Sequence, residues 1–86
     1  MPRISSFYGI VIWMYYDDHN PPHFHAEYGE YRARIVIDSC EPLDTDLPGR
    51  ALRLVREWAL LRRQELAVNW QKARAGLSLD RIEPLP

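Results

Sequence analysis

His23-Phe24-His25-Ala26-Glu27-Tyr28-Gly29-Glu30-Tyr31-Arg32-Ala33-Arg34-Ile35-Val36-Ile37-Asp38 reads as a β-hairpin, and this stretch decides the fold. Gly29 is its only glycine, and Gly29-Glu30 suits a two-residue type II′ turn, which takes glycine first. That turn sets Tyr28 opposite Tyr31, Glu27 opposite Arg32, Ala26 opposite Ala33, His25 opposite Arg34 and Phe24 opposite Ile35. Side chains alternate along a strand. One face therefore carries Phe24, Ala26, Tyr28, Tyr31, Ala33, Ile35 and Ile37, and the other His23, His25, Glu27, Arg32, Arg34 and Val36. A slip of one residue would mix the two sets, so the pattern argues for its own register.

Upstream, Ile10 to Tyr16 is β-branched and aromatic with no charged residue, the composition of a central strand covered on both faces. Ile4 to Tyr8 predicts a shorter strand before it, with Gly9 as a bend or bulge. Asp17-Asp18-His19-Asn20-Pro21-Pro22 then stops the sheet. Its prolines remove two donors and fix two φ angles, so the connection is stiff. Downstream, Asp44-Thr45-Asp46-Leu47-Pro48 predicts a helix start, with Asp46 as N-cap and Pro48 in the first turn. Helical spacing runs through Ala51, Leu54, Val55, Trp58 and Leu61, and Gly76 suits the position after the helix. Unbroken, this helix would extend about 42 Å. Its apolar stripe drifts, however: Arg62, Glu65 and Asn69 fall on the arc used by Trp58, while Leu66, Trp70 and Ala73 mark a rotated one. A kink near residues 62–66, or a second half packed on another subunit, accounts for the drift.

The expectation is one α+β domain over residues 1–86. A small antiparallel sheet of three to four strands, with strands and hairpin at about 4–38, packs on one long or kinked C-terminal helix at about 47–75. A short terminal strand at about 77–83 completes it. The Phe24/Tyr28/Ile35/Ile37 face meets Leu54, Val55 and Trp58.

Composition narrows the classes. Eighty-six residues that are 47% hydrophobic suffice for one core. So small a core leaves a thin margin, and a homo-oligomer is one way to widen it. Eleven basic residues against twelve acidic, a net charge of −1, exclude a polycation and a disordered acidic tail. One cysteine, Cys40, excludes an internal disulfide framework and a Cys-rich zinc module. The longest apolar run, Gly9 to Tyr16, is too short to span a bilayer, so the expectation is a soluble, cytoplasmic protein with no membrane partner.

Two kinds of site fit the polar hairpin face. For a metal, His23 and His25 point the same way from one strand, and the stiff turn brings His19 and Asp17 or Asp18 as further ligands, with Glu27 as an alternative carboxylate. The set Asp18, His19, His23 and His25 suits zinc or a redox metal with open positions. Arg34, opposite His25, counts against a dication. For an anion, His23, His25, Glu27 and Arg34 supply acid, base and cation for phosphodiester cleavage, with Arg32 or Arg34 as phosphate clamp and Trp13 and Tyr15 as stacking surfaces. A purely structural reading stands beside both: a stiff corner whose His19 and Asp18 bond to exposed backbone. On the helix, Arg53, Arg56, Arg63 and Arg74 share an arc away from the apolar stripe, a surface for nucleic acid or an acidic partner, or a solvated face.

The string Asp18-His19-Asn20-Pro21-Pro22-His23-Phe24-His25, with Phe7-Tyr8-Gly9-Ile10, Tyr28-Gly29-Glu30, Val55-Arg56-Glu57-Trp58, Arg63-Gln64-Glu65-Leu66, Asn69-Trp70 and Ile82-Glu83-Pro84-Leu85, resembles the small bacterial domain-of-unknown-function family 4160. The resemblance implies a compact α+β domain, often encoded beside another small domain of unknown function, and a role in toxin–antitoxin-like gene pairs. It implies no established activity. The expected function is then a binding module of such a pair, meeting a protein encoded by a neighbouring gene, or nucleic acid, through the His/Arg-rich sheet face and the Arg-rich helix. The alternatives are a phosphoester-acting, nuclease-like enzyme with or without a metal, and a metal-binding protein using the histidine cluster.

Overall fold

The computed structural model describes residues 2–16 and 18–86. Five antiparallel strands form one sheet in chain order: β1 (Arg3–Phe7), β2 (Ile10–Trp13), β3 (His23–Tyr28), β4 (Tyr31–Val36) and β5 (Pro42–Thr45). Two helices follow, α1 (Gly49–Leu61) and α2 (Arg63–Arg74). The class is α+β, with a wider sheet and a divided helix.

The β3–β4 hairpin pairs as its turn chemistry dictates, from Tyr28 with Tyr31 down to Phe24 with Ile35, and on to His23 with Val36. Gly29 takes φ +60°, the left-handed conformation that the first turn position requires. Phe24, Ala26, Ala33, Ile35 and Ile37 are buried on the core face. Between β1 and β2, Tyr8 (φ 51°) and Gly9 (φ 80°) are both left-handed, as in a type I′ turn. The aromatic run breaks off earlier than its composition suggests, because β2 ends at Trp13. Ile10 and Ile12 are buried and Val11 and Trp13 only half-buried, so this strand has one core face rather than two.

The fifth strand corrects the expected three or four. Pro42-Leu43-Asp44-Thr45 lacks apolar alternation because it is an edge strand, where proline and charge are tolerated. Asp46, expected as a helix N-cap, instead extends this pairing. Its carboxylate accepts the Arg32 amide at 2.7 Å, and its own amide donates to the Arg32 carbonyl. The helix starts later, with Pro48 at the cap position and no side-chain cap.

The expected kink is a full break at Arg62 (φ −114°, ψ 20°). The molecule's longest Cα dimension is 33 Å, so a straight helix of about 42 Å would overshoot it. After the break, Leu66, Trp70 and Ala73 are buried against the same chain, which accounts for the rotated stripe. Gly76 (φ 73°) ends α2 in a Schellman motif, with Leu77 donating to the Lys72 carbonyl and Gly76 to that of Ala73. Trp58 of α1 is fully buried, 5.6 Å from the Phe24 ring and 5.4 Å from that of Phe7, centre to centre. Leu54, expected in the same contact, is only partly buried.

The short terminal strand expected at 77–83 is replaced by a tail with one sheet-like bond, from the Ile82 amide to the Ile4 carbonyl. Side chains hold it instead. Asn69 of α2 is buried and bonds both the amide and the carbonyl of Asp80, and the Trp58 indole donates to the Glu83 carbonyl. Among the described residues no helix is long and apolar enough to cross a membrane.

Candidate metal centre

His23 and His25 share one face of β3, as the strand pleat requires, and the diproline corner returns Asp18 to them. Asp18 Oδ2 lies 3.0 Å from His23 Nε2 and 2.9 Å from His25 Nε2. The three ligand atoms all lie within 4.8 Å of one another, the one such convergence of histidine, cysteine and acidic groups among the described residues. A tetrahedral zinc site spaces its ligands by roughly 3.3 Å, so Asp18 need draw back from each imidazole by only a few tenths of an ångström, with the two imidazoles already within 4.8 Å of each other.

His23 carries the decisive constraint. Its Nδ1 sits 2.7 Å from the Pro21 carbonyl oxygen, which only accepts, so Nδ1 holds a proton. In the neutral ring Nε2 is then a bare lone pair, with a carboxylate oxygen 3.0 Å away but outside hydrogen-bonding alignment. Two acceptors do not face each other stably across that distance in a buried site. Nε2 is inaccessible to solvent and has no hydrogen-bond partner, and the whole residue is 2% exposed. A positive charge shared by the two groups would relieve that repulsion. A backbone carbonyl holding the distal ring proton is also how proteins orient histidine ligands.

Aromatic rings wall the cluster. The Tyr15 ring lies 4.2 Å from that of His25, and Trp70 of α2 lies 5.5 Å from His23. Burial pushes the Asp18 carboxyl up, but the hydrogen bonds from His25 and the His19 amide and the charge of the two histidines outweigh it. Its pKa lies below the ordinary value.

The other expected residues divide. His19 contributes its backbone amide, 2.9 Å from Asp18 Oδ1, and is not among the three converging ligands. Asp17, also named as a possible ligand, lies outside the described residues. Glu27 pairs with Arg32 at 3.2 Å. Arg34 is gripped by Asp44, with Nε at 3.2 and 3.0 Å from the two carboxylate oxygens and Nη2 at 2.5 Å from Oδ2. Each guanidinium of the expected clamp thus has a carboxylate of its own, and Arg34's repulsion of a cation at His25 is offset locally. The hydrogen bond and charge of Asp44 hold Arg34 above its ordinary pKa, and Arg34 holds Asp44 below its own.

Of the helix arginines, Arg53 and Arg56 line one cleft on α1, and Arg56 and Arg63 both reach Cys40. Arg53 and Arg56 lie on α1, Arg63 and Arg74 beyond the break. Arg56 binds Glu41 and the Cys40 carbonyl, and Arg74 reaches Asn20 at 3.5 Å. Sequence reasoning missed Trp70 as a wall of the site and Asp44 as the partner of Arg34. Periodicity marked Trp70 as apolar, but nothing in the sequence aligned α2 with β3.

A family model described as a domain of unknown function (DUF4160) matches residues 9–71, well over half of the chain and all three converging residues. The chain belongs to this family. The DUF4160 match also takes in all of α1 and most of α2, so the helices that cover the sheet fall within it. No curated protein matches the chain, and no solved structure does.

Proposed function

We propose that this DUF4160 protein binds one divalent transition metal through Asp18, His23 and His25. The carrying observation is the convergence of three ligand atoms within 4.8 Å, and the tautomer supports it: Pro21 keeps the proton on His23 Nδ1, so the buried Nε2 lone pair lies 3.0 Å from Asp18 Oδ2 without a hydrogen-bond partner. Two imidazoles and one carboxylate suit zinc, or iron or manganese with exchangeable positions. Three protein ligands leave at least one coordination position open, the layout of catalytic rather than structural zinc sites. Such a metal supplies Lewis acidity and an activated water, the chemistry of phosphoester or amide hydrolysis.

Calorimetry with zinc on the untagged protein tests this. One ion per chain should bind near pH 7 with release of protons, and affinity should fall as pH drops through about 6, because imidazole ligands must be neutral. Asp18→Asn and His23→Ala should each abolish tight binding. A wild-type protein that takes up no zinc at pH 7 would falsify the reading.

A second reading, a module that binds the product of a neighbouring gene, draws on a different surface. Leu60 and Leu61 are each 60% exposed and, with Tyr8, Leu54 and Leu85, line a groove of about 630 Å³ beside α1. Large apolar side chains left in water at one place favour a protein partner. Co-expression with the neighbouring gene should yield a stable complex that Leu60→Asp disrupts. A complex indifferent to that change, or none at all, counts against it.

A further inference from the structure

The geometry points to a small oxyanion, carboxylate or phosphate, bound between the metal and Arg34, in the place that Asp44 now holds in the arginine fork. The inference rests on the metal reading above and names the ligand of that same centre.

A cleft of about 210 Å³ opens beside the centre, lined by Tyr15, His25, Glu27, Arg32, Arg34 and Asp44. It is smaller than the roughly 300–1,000 Å³ of pockets that enclose drug-sized molecules, so it takes a small ion or the anionic end of a larger one. His25 belongs to both cleft and centre. Arg34 stands directly opposite His25 in the β3–β4 ladder, which sets their Cβ atoms about 4.5–5.5 Å apart. Of the three proposed ligands His25 alone lines the cleft, so a metal on His25 would border the volume that the Arg34 guanidinium reaches from across the ladder.

Charge selects an anion. A dication on Asp18 retains one positive charge, while the Arg32–Glu27 and Arg34–Asp44 pairs cancel. Open positions on such a centre prefer an oxygen anion. Shape selects one with two or more oxygens in a plane, because the Arg34 fork already holds such a group. Both Asp44 oxygens are engaged: Oδ2 accepts from Nε and Nη2 together and Oδ1 from Nε, and a ligand carboxylate or phosphate could take the same donors. Asp44 is also easy to displace. It is 59% exposed and sits on the edge strand, beside a shift in the β4–β5 register between Arg34 and Ile35. Opening an exposed ion pair costs little. The arriving anion would put one oxygen on the metal and its remaining oxygens on Arg34, so the two cations hold it together.

Cobalt(II) is the probe, because its visible bands report any change in the ligands around it. The cobalt-loaded protein is titrated with sodium acetate and, separately, with inorganic phosphate. Either or both should shift the bands saturably, and the tighter of the two names the class. Asp44→Asn should tighten that binding about tenfold and Arg34→Gln should weaken it about tenfold, the scale of one charge-assisted hydrogen bond. Both side chains are exposed, so both variants should fold and still take up cobalt. Bands that ignore both anions overturn the inference while leaving the metal site standing, and so do variants that titrate like the wild type. A protein that binds no cobalt overturns the metal reading, and the oxyanion site with it.

Discussion

Two neighbouring residues of β3 each meet a tryptophan. Phe24 lies against Trp58 of α1, with ring centres 5.6 Å apart, and His23 lies against Trp70 of α2 at 5.5 Å. Both are buried, at 0% and 2% exposure. At Phe24 nothing remains to be satisfied once the rings touch, and the contact only adds stability. At His23 the same packing strips water from two ring nitrogens. One finds the Pro21 carbonyl; the other is left without a hydrogen-bond partner, 3.0 Å from a carboxylate oxygen. Equal burial yields structure in one place and chemistry in the other, and the difference lies wholly in polar valences left over after packing.

The largest expected effect breaks the first pair. Trp58→Ala removes a fully buried indole and its hydrogen bond to Glu83, and should cost about 3–5 kcal/mol, enough to unfold so small a domain. A melting temperature near that of the wild type would sink the packing account. Asn69 sharpens the contrast, being a buried polar residue on α2 whose valences are filled within the protein. Asn69→Ala leaves the Asp80 amide and carbonyl without partners and should cost about 1–3 kcal/mol in urea unfolding, with metal uptake unchanged. His23→Phe makes the second pair resemble the first. Stability should fall by only about 1–2 kcal/mol, the cost of leaving the Pro21 carbonyl without its donor while an apolar ring fills the same space, and zinc binding disappears. If that variant unfolds, His23 is a structural polar group and not a ligand.

The smallest effect concerns Asp44, which Arg34 holds below its ordinary pKa of 3.8. A depressed folded value means the pair's stabilisation is present above 3.8 and is lost as pH falls through the folded pKa. Asp44→Asn should therefore lose a little stability at pH 7 and match the wild type in strong acid. Equal melting curves at both pH values would mean that the exposed pair contributes nothing measurable.

The parts of this fold set by local rules were legible in the sequence. The hairpin register followed from one glycine and a two-residue period. The break at Arg62 was one of the two arrangements that a stripe changing sides allowed, the other being packing on a second subunit. The pairing of His23 and His25 followed from strand alternation. What stayed hidden depended on partners distant in the chain. Pro42 to Thr45 carries no strand pattern, since an edge strand facing solvent needs none, so neither the fifth strand nor the Asp44 grip on Arg34 could be read. Asp46 looked like a cap because aspartate is favoured at that position and Pro48 suits the first turn, yet the backbone amide of Arg32 takes its carboxylate. His19 looked equivalent to its neighbours because composition does not say which side chains of a tight corner turn inward.

The tail after Gly76 has a consequence for the order of events in folding. Every strand pairs with its neighbour in the chain, so the sheet assembles through short loops whose closure costs little entropy. Beyond the Asn69 and Lys72 bonds to Asp80, the tail is fastened to the sheet side by bonds between residues far apart: Tyr8 to Pro86, Ile4 to Ile82, Tyr16 to Leu77. Each needs the sheet and α2 already in place to define where it lands. The meander should thus form the nucleus and the tail should dock late. Substitutions in the tail should speed unfolding and leave the folding rate nearly untouched.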